Sequence, residues 1–242
     1  MFITAVRDTL LKKAIKASAS DKFVPQNSQY RLDQILDRSD GHALIKLSYG
    51  QGDWYVFQEH WSGWATDDLW SLDQFKRCFP TANIQTLNQY HPLLLDACSK
   101  AEINTPLRIS AFFAQIGHES ESFIYSEEIA SGAAYEGRRD LGNTQRGDGV
   151  RYKGRGIIQI TGRANYKKYG DILGLALEQN PQLAKDPAIA CKIAAAFWKE
   201  KDLNRFADKS DFKRITRLIN GGLNGYSDRF CRYSLAKSVL IQ

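Results

Sequence analysis

The chain has 242 residues, 43% of them hydrophobic and 25% charged, with 33 Lys and Arg against 27 Asp and Glu. That composition excludes a disordered chain, and the lack of any run of about 18 apolar residues excludes a membrane-spanning helix. A formal charge of +6 points to an anionic partner, whether nucleic acid, membrane surface or acidic polymer, without choosing among them.

Arg7 and Asp8 interrupt the apolar stretch that a signal peptide needs, so the expectation is cytoplasmic synthesis with no secretory signal. The next residues read as β. Ala43, Ile45, Leu47 and Tyr49 alternate with His42, Leu44, Lys46 and Ser48, the two-residue period of a half-buried strand. Asp40-Gly41 and Gly50-Gln51-Gly52-Asp53 bracket it as turns. Trp54 to Phe57 forms a second aromatic, β-branched run, and Tyr30 to Leu36 a third. Short strands joined by tight turns predict a small SH3-like β domain over residues 1–65, followed by a linker over 66–82. From 83 to 242 the period becomes helical. Helices are expected over Leu87–Ala101, Pro106–Ile116 with Thr105 as cap, Ala188–Lys199, Asp211–Asn220 and Arg229–Ile241. Residues 131–156, rich in Gly, Arg and Asp, read as a long structured loop, the kind that usually carries function. The predicted class is α+β, mostly helical after a small β domain.

Cys78, Cys98, Cys191 and Cys231 lie far apart without histidine ligands nearby, which predicts reduced thiols and no zinc site. The four histidines share no ligand spacing, so neither metal nor cofactor is expected. Three segments carry the chemistry. In the first, Gln115 to Glu128, an apolar helix runs into carboxylates. Glu119 stands at the helix C-terminus, where the macrodipole holds a proton more tightly and Phe112, Phe113 and Phe123 would desolvate it. Glu127 or Glu128 then offers a second carboxylate across a cleft, the minimum for glycosidic hydrolysis; a solvated helix end is the bland alternative. In the second, Arg151 to Tyr166, Gly154 and Gly156 permit close backbone approach or positive φ. Gln159, Thr161 and Asn165 read as a polar row on a short extended segment, suited to sugar hydroxyls and acetamides or a held water. A phosphate loop is the rival, but its Gly-Lys-Ser/Thr pattern is missing. The third, Ile215 to Gly222, ends a helix at Asn220 with two glycines, which alone reads as a C-cap.

Taken in order, His118-Glu119-Ser120-Glu121-Ser122-Phe123, Tyr135-Glu136-Gly137-Arg138, Arg155-Gly156-Ile157-Ile158-Gln159-Ile160-Thr161-Gly162 and Ile219-Asn220-Gly221-Gly222 resemble family 19 glycoside hydrolases, the chitinase and endolysin group, over roughly residues 78–242. The resemblance implies a lysozyme-like helical catalytic domain and an inverting attack on β-1,4 bonds of N-acetylated aminosugar polymers. It implies Glu119 as general acid, Glu128 as base and Thr161 as water holder, with Glu136 as rival base. His118, Tyr125, Glu136, Arg155, Gln159, Asn165 and Asn220 are the implied substrate contacts. Where the family often has glycine, this chain has Glu121 and Ser122. Inversion sets the two carboxyls roughly 6.5 to 9.5 Å apart. Peptidoglycan is favoured over chitin, because the basic chain suits an anionic wall. A non-catalytic polysaccharide-binding protein is the reading from another class. A monomer is expected, with a polysaccharide partner, no nucleic acid and no membrane, brought to the wall by a route other than a signal peptide.

Overall fold

A computed structural model describes residues 2–13, 21–39, 41–48, 51–62 and 69–241. The chain divides into units Met1–Asp68 and Leu69–Gln242. The first unit carries, among its described residues, β1 (Phe2–Ala5), β2 (Thr9–Lys12), β3 (Asp21–Val24), β4 (Gln29–Ser39), β5 (His42–Leu47), β6 (Gly52–Phe57) and β7 (Trp61–Ser62). They form a sheet ordered β3-β2-β6-β5-β4-β1-β7, with antiparallel pairing throughout. The alternation read in β5 buries Ala43, Ile45 and Leu47, while Tyr49 lies outside the described residues. β5 pairs with β6 so that Ile45 faces Trp54 across the ladder. Trp61 is buried in this unit's core, and Lys13 Nζ sits 3.7 Å above the Trp54 ring; Trp64 is outside the described residues. β1, β2 and β3 are four-residue strands, too short for their alternation to stand out in the sequence.

The second unit is helical: α1 (Leu72–Cys78), α2 (Ile84–Lys100), α3 (Pro106–Glu119), α4 (Asp148–Arg151), α5 (Arg163–Leu173), α6 (Pro187–Glu200), α7 (Asn204–Asp208), α8 (Phe212–Asn220) and α9 (Tyr226–Leu240). α3 is the central helix. Thr105 caps it and Pro106 opens it, as the sequence indicates. Every residue from Ile109 to Gly117 is buried, and α3 packs against α9. Two corrections concern element placement. Residues 72–78, expected inside the linker, form α1, whose Ser71 and Gln74 make a reciprocal capping box and whose Phe75 is fully buried. The polar row is not on extended backbone: Gln159 lies in the turn that follows Arg155, with φ +53°, and Asn165 sits in the first turn of α5. Cys78, Cys98 and Cys191 are buried free thiols; burial pushes the Cys78 thiol up to about 12 and the other two upward as well. Cys231 is free and exposed.

Candidate active-site cleft

A cleft of about 430 Å³ gathers side chains from six parts of the helical unit. α3 contributes Glu119 at its last turn, and the chain just beyond contributes Glu128. The loop and turn that follow supply Tyr135, Leu141, Gly154, Gln159 and Thr161. Asn165 comes from α5, Phe197 from α6, and Ile219 and Asn220 from the end of α8.

The two carboxylates have different surroundings. Glu119 Oε1 accepts a hydrogen bond at 2.6 Å from Nη2 of Arg229, a buried arginine on α9. The same guanidinium donates through Nη1 to Gln115 Oε1 at 2.5 Å, and Gln115 Nε2 donates in turn to Thr216 Oγ1. Phe112 and Phe113, expected to enclose Glu119, instead pack in the core against Trp198 and against Trp70, Phe75 and Phe79; Phe123 packs on Tyr90 and Phe79. Glu119 is held by charge pairing with Arg229. Glu128 Oε1 accepts from the Tyr135 hydroxyl at 3.0 Å, and its Oε2 from the Gly154 amide at 3.1 Å. Burial, then the bond to Glu128, pushes the Tyr135 hydroxyl above its usual range, so it stays protonated as a donor.

The two glycines singled out in the sequence serve different needs. A Cβ on Gly154 would lie 2.7 Å from Gln159 Oε1 and 3.3 Å from Glu128 Oε2, so a larger residue there would displace the Gln159 amide from its place in the cleft. Gly156 has φ +77°, which requires glycine on backbone grounds. The amides of the cleft are oriented by main-chain carbonyls. Gln159 Nε2 donates to Gly156 O, Asn165 Nδ2 to Thr161 O, and Asn220 Nδ2 to Asn224 O. One hydrogen of each amide nitrogen is thus engaged, which leaves the amide oxygens and a second N–H for a ligand. The Thr161 hydroxyl donates to Gln159 O, so its lone pairs are its remaining capacity.

The family model for chitinase class I enzymes of glycosyl hydrolase family 19 matches residues 97–210. A family 19 glycosyl hydrolase domain-containing protein of Haemophilus influenzae is 30% identical over 186 residues, spanning 64% of this chain and 89% of that one. The chain belongs to glycosyl hydrolase family 19. It is a glycosidase by that membership. An Arabidopsis thaliana endochitinase is 42% identical over 115 residues, which are 47% of this chain and only 39% of the plant protein. Among solved structures, chitinase C from Streptomyces griseus superimposes with a TM-score of 0.60 at 25% identity, covering 71% of this chain and 92% of that one.

Of the residues singled out in the family 19 sequence, the cleft unites Glu119, Glu128, Gln159, Thr161, Asn165 and Asn220. Asn220 ends α8, and Gly221 is the left-handed cap, so the C-cap reading and the cleft position both hold. Four others lie off the cleft lining. His118 Nδ1 is 2.7 Å from Asp228 Oδ2, and Tyr125 is an exposed side chain. The Glu136 carboxylate accepts from the amides of Gly147 and Gly149, which commits it to holding the loop. Arg155 is buried, bonded to Glu127, the Arg151 carbonyl and the Tyr166 hydroxyl. Sequence reasoning missed Arg229 and the bond from Tyr135. Arg229 stands 110 residues from Glu119 with no local motif to mark it. Tyr135 lies seven residues after Glu128 in a loop without period, and its place beside Glu136 was the only signal. Among the described residues, no group of three or more His, Cys, Asp or Glu is placed to share a metal ion.

Proposed function

We propose that this family 19 enzyme hydrolyses β-1,4 bonds of N-acetylated aminosugar polymers with inversion, Glu119 acting as acid and Glu128 as base. The observation that carries the reading is the pair of carboxylates brought into one cleft; the family resemblance gives Glu119 the acid's part and Glu128 the base's. Glu119, with Oε1 held by Arg229, gives its proton from Oε2 to the departing glycosidic oxygen. A water attacks the anomeric carbon from the opposite face. It yields one proton to Glu128 and donates its other hydrogen to Thr161 Oγ1, whose own hydroxyl hydrogen is engaged by Gln159 O. The amide oxygens of Gln159, Asn165 and Asn220 accept from sugar hydroxyls and the acetamide N–H. Glu119→Gln and Glu128→Gln should each lower kcat at least about 100-fold, with the fold retained by circular dichroism. An α-anomeric first product from a β-linked oligomer is the expected signature; a β-anomeric one overturns inversion.

Peptidoglycan is the proposed polymer. Residues 138–168 hold nine Lys or Arg against Asp140 and Asp148, which suits an anionic wall better than neutral chitin. Chitin is the second reading, favoured by the relatives named endochitinase. Rates on purified peptidoglycan and on chitin oligomers separate them. The β unit is proposed as an SH3-like accessory with Trp61 serving its core.

A further inference from the structure

The extended backbone that carries Glu128 has a second face. Glu127 and Arg155 form an antiparallel bridge, and side chains alternate across such backbone. Glu128 and Gly154 line the cleft, whereas Glu127, Lys153 and Arg155 line a separate cavity of about 470 Å³ together with Val150, Arg151 and Gln182.

That second cavity is strongly cationic. Glu127 Oε1 is 2.9 Å from Arg155 Nε and 3.7 Å from Lys153 Nζ, and its Oε2 is 3.2 Å from Lys185 Nζ. Burial works against ionisation of Glu127, but the Lys185 bond and the Arg155 and Lys153 charges overcome it and hold the carboxyl below its usual range. Arg151 adds a further cation whose bonds go only to neutral groups, the Tyr152 hydroxyl and the carbonyls of Glu178 and Gln179. The neighbouring Glu178 carboxylate is taken by Arg163. Four cations therefore stand against one carboxylate. Their bonds already satisfy Glu127, so the excess charge is available to an anion from solution.

We infer that this cavity binds the carboxylates of a peptide carried by the same glycan whose sugars lie in the cleft. The inference rests on the peptidoglycan reading and gives it a residue-level cause of specificity, because chitin has no acidic branch. The wall between the two cavities is one pair of extended segments. A peptide covering about 3.3 Å per residue rounds it within a few residues.

The test places charge at the rim without touching the catalytic residues or the Glu127 network. Gln182 lines the cavity and is exposed. KM and kcat are measured for the wild type, Gln182→Glu and Gln182→Lys on three substrates: intact peptidoglycan, the same glycan stripped of peptides by an amidase, and chitin oligomers. Gln182→Glu should raise KM on intact peptidoglycan by ~3- to 10-fold and Gln182→Lys should lower it, both effects fading in high salt. Neither should change KM on the stripped glycan or on chitin. If the wild type cleaves intact peptidoglycan but the two variants match it, or shift all substrates alike, the cavity is not a peptide site and the substrate reading survives. If the wild type cleaves chitin and neither form of peptidoglycan, the substrate reading fails and the inference with it.

Discussion

Arg229 serves two side chains at once, and its fork geometry explains why. One nitrogen reaches Glu119 and another reaches Gln115, which only a planar guanidinium can do. Arg229→Lys keeps the charge and loses the fork, so kcat should fall about tenfold with a stability loss of ~2 kcal/mol. Melting and single-substrate kinetics on the same preparation check both. Tyr135→Phe removes one donor from Glu128 at a partly exposed site. It should lower kcat by roughly tenfold and Tm by no more than about 2 to 4 °C, since such a bond contributes about 1 kcal/mol to stability. Just past Glu119, the residues Glu121, Ser122 and Phe123 have φ of +48°, +56° and +70°. Three successive non-glycine residues in the left-handed region store strain beside the acid. Glu121→Gly relieves one of them. It should raise stability by ~0.5 to 1 kcal/mol, or a Tm gain of about 1 to 4 °C, after the added freedom of the unfolded chain is subtracted.

At the scale of elements, the stretch from Ser126 to Asn165 is mostly irregular yet positions half the cleft. Main-chain pairs fix its path: Glu128 N to Gly154 O, Gly156 N to Ser126 O, and Arg155 with Ile160 in both directions. Side chains close the rest. The buried Asp148 carboxylate pairs with Arg163 at 2.5 Å, and Asn143 Oδ1 accepts from the Arg163 amide. The Arg163 bond, against the opposing effect of burial, holds the Asp148 carboxyl below its ordinary range. The folded state therefore binds fewer protons than the unfolded one in acid. The stability from Asp148 is present above the unfolded Asp pKa of about 3.9 and is lost as pH falls through the folded value. Asp148→Asn should cost ~2 kcal/mol at pH 7 and progressively less below about pH 4, read from urea unfolding across pH. Such a segment was legible as functional from its length and its glycines. Its internal bonds were not, because most of them join residues 15 to 30 positions apart with no period to follow.

The whole chain carries +6, and the sequence divides that charge into an acidic stretch over 117–136 and a basic one over 138–168. Tertiary contacts redistribute it. Of the five glutamates in the acidic stretch, Glu119 is paired with Arg229, Glu127 with Arg155, Lys153 and Lys185, and Glu136 with two loop amides. Arg151, Lys153 and Arg155 of the basic stretch come together at the cavity behind Glu128. Among the described residues the two units have separate hydrophobic clusters, one including Ile45 and Val56, the other Phe112 and Trp198. Calorimetry should therefore show two transitions. Ile45→Ala should lower one and Phe112→Ala the other, each by about 2 to 5 kcal/mol of its unit's stability. A single transition moved by both variants would show coupled unfolding.

By itself the sequence determined what is local. Period-two alternation marked β5, the Thr105-Pro106 cap marked α3, and the ordered run of motifs marked family 19 and the six residues that meet in the cleft. These signals are repeats or spacings within one element, where a side chain's direction follows from backbone geometry alone. The tertiary structure decided the rest. Arg229 reaches Glu119 across 110 residues, Asn165 joins Thr161 from a helix rather than a strand, and Lys185 reaches Glu127 across 58 residues to make the cationic cavity. Those are meetings between elements, and no spacing along a chain specifies which helix end will stand beside which loop until the core has packed.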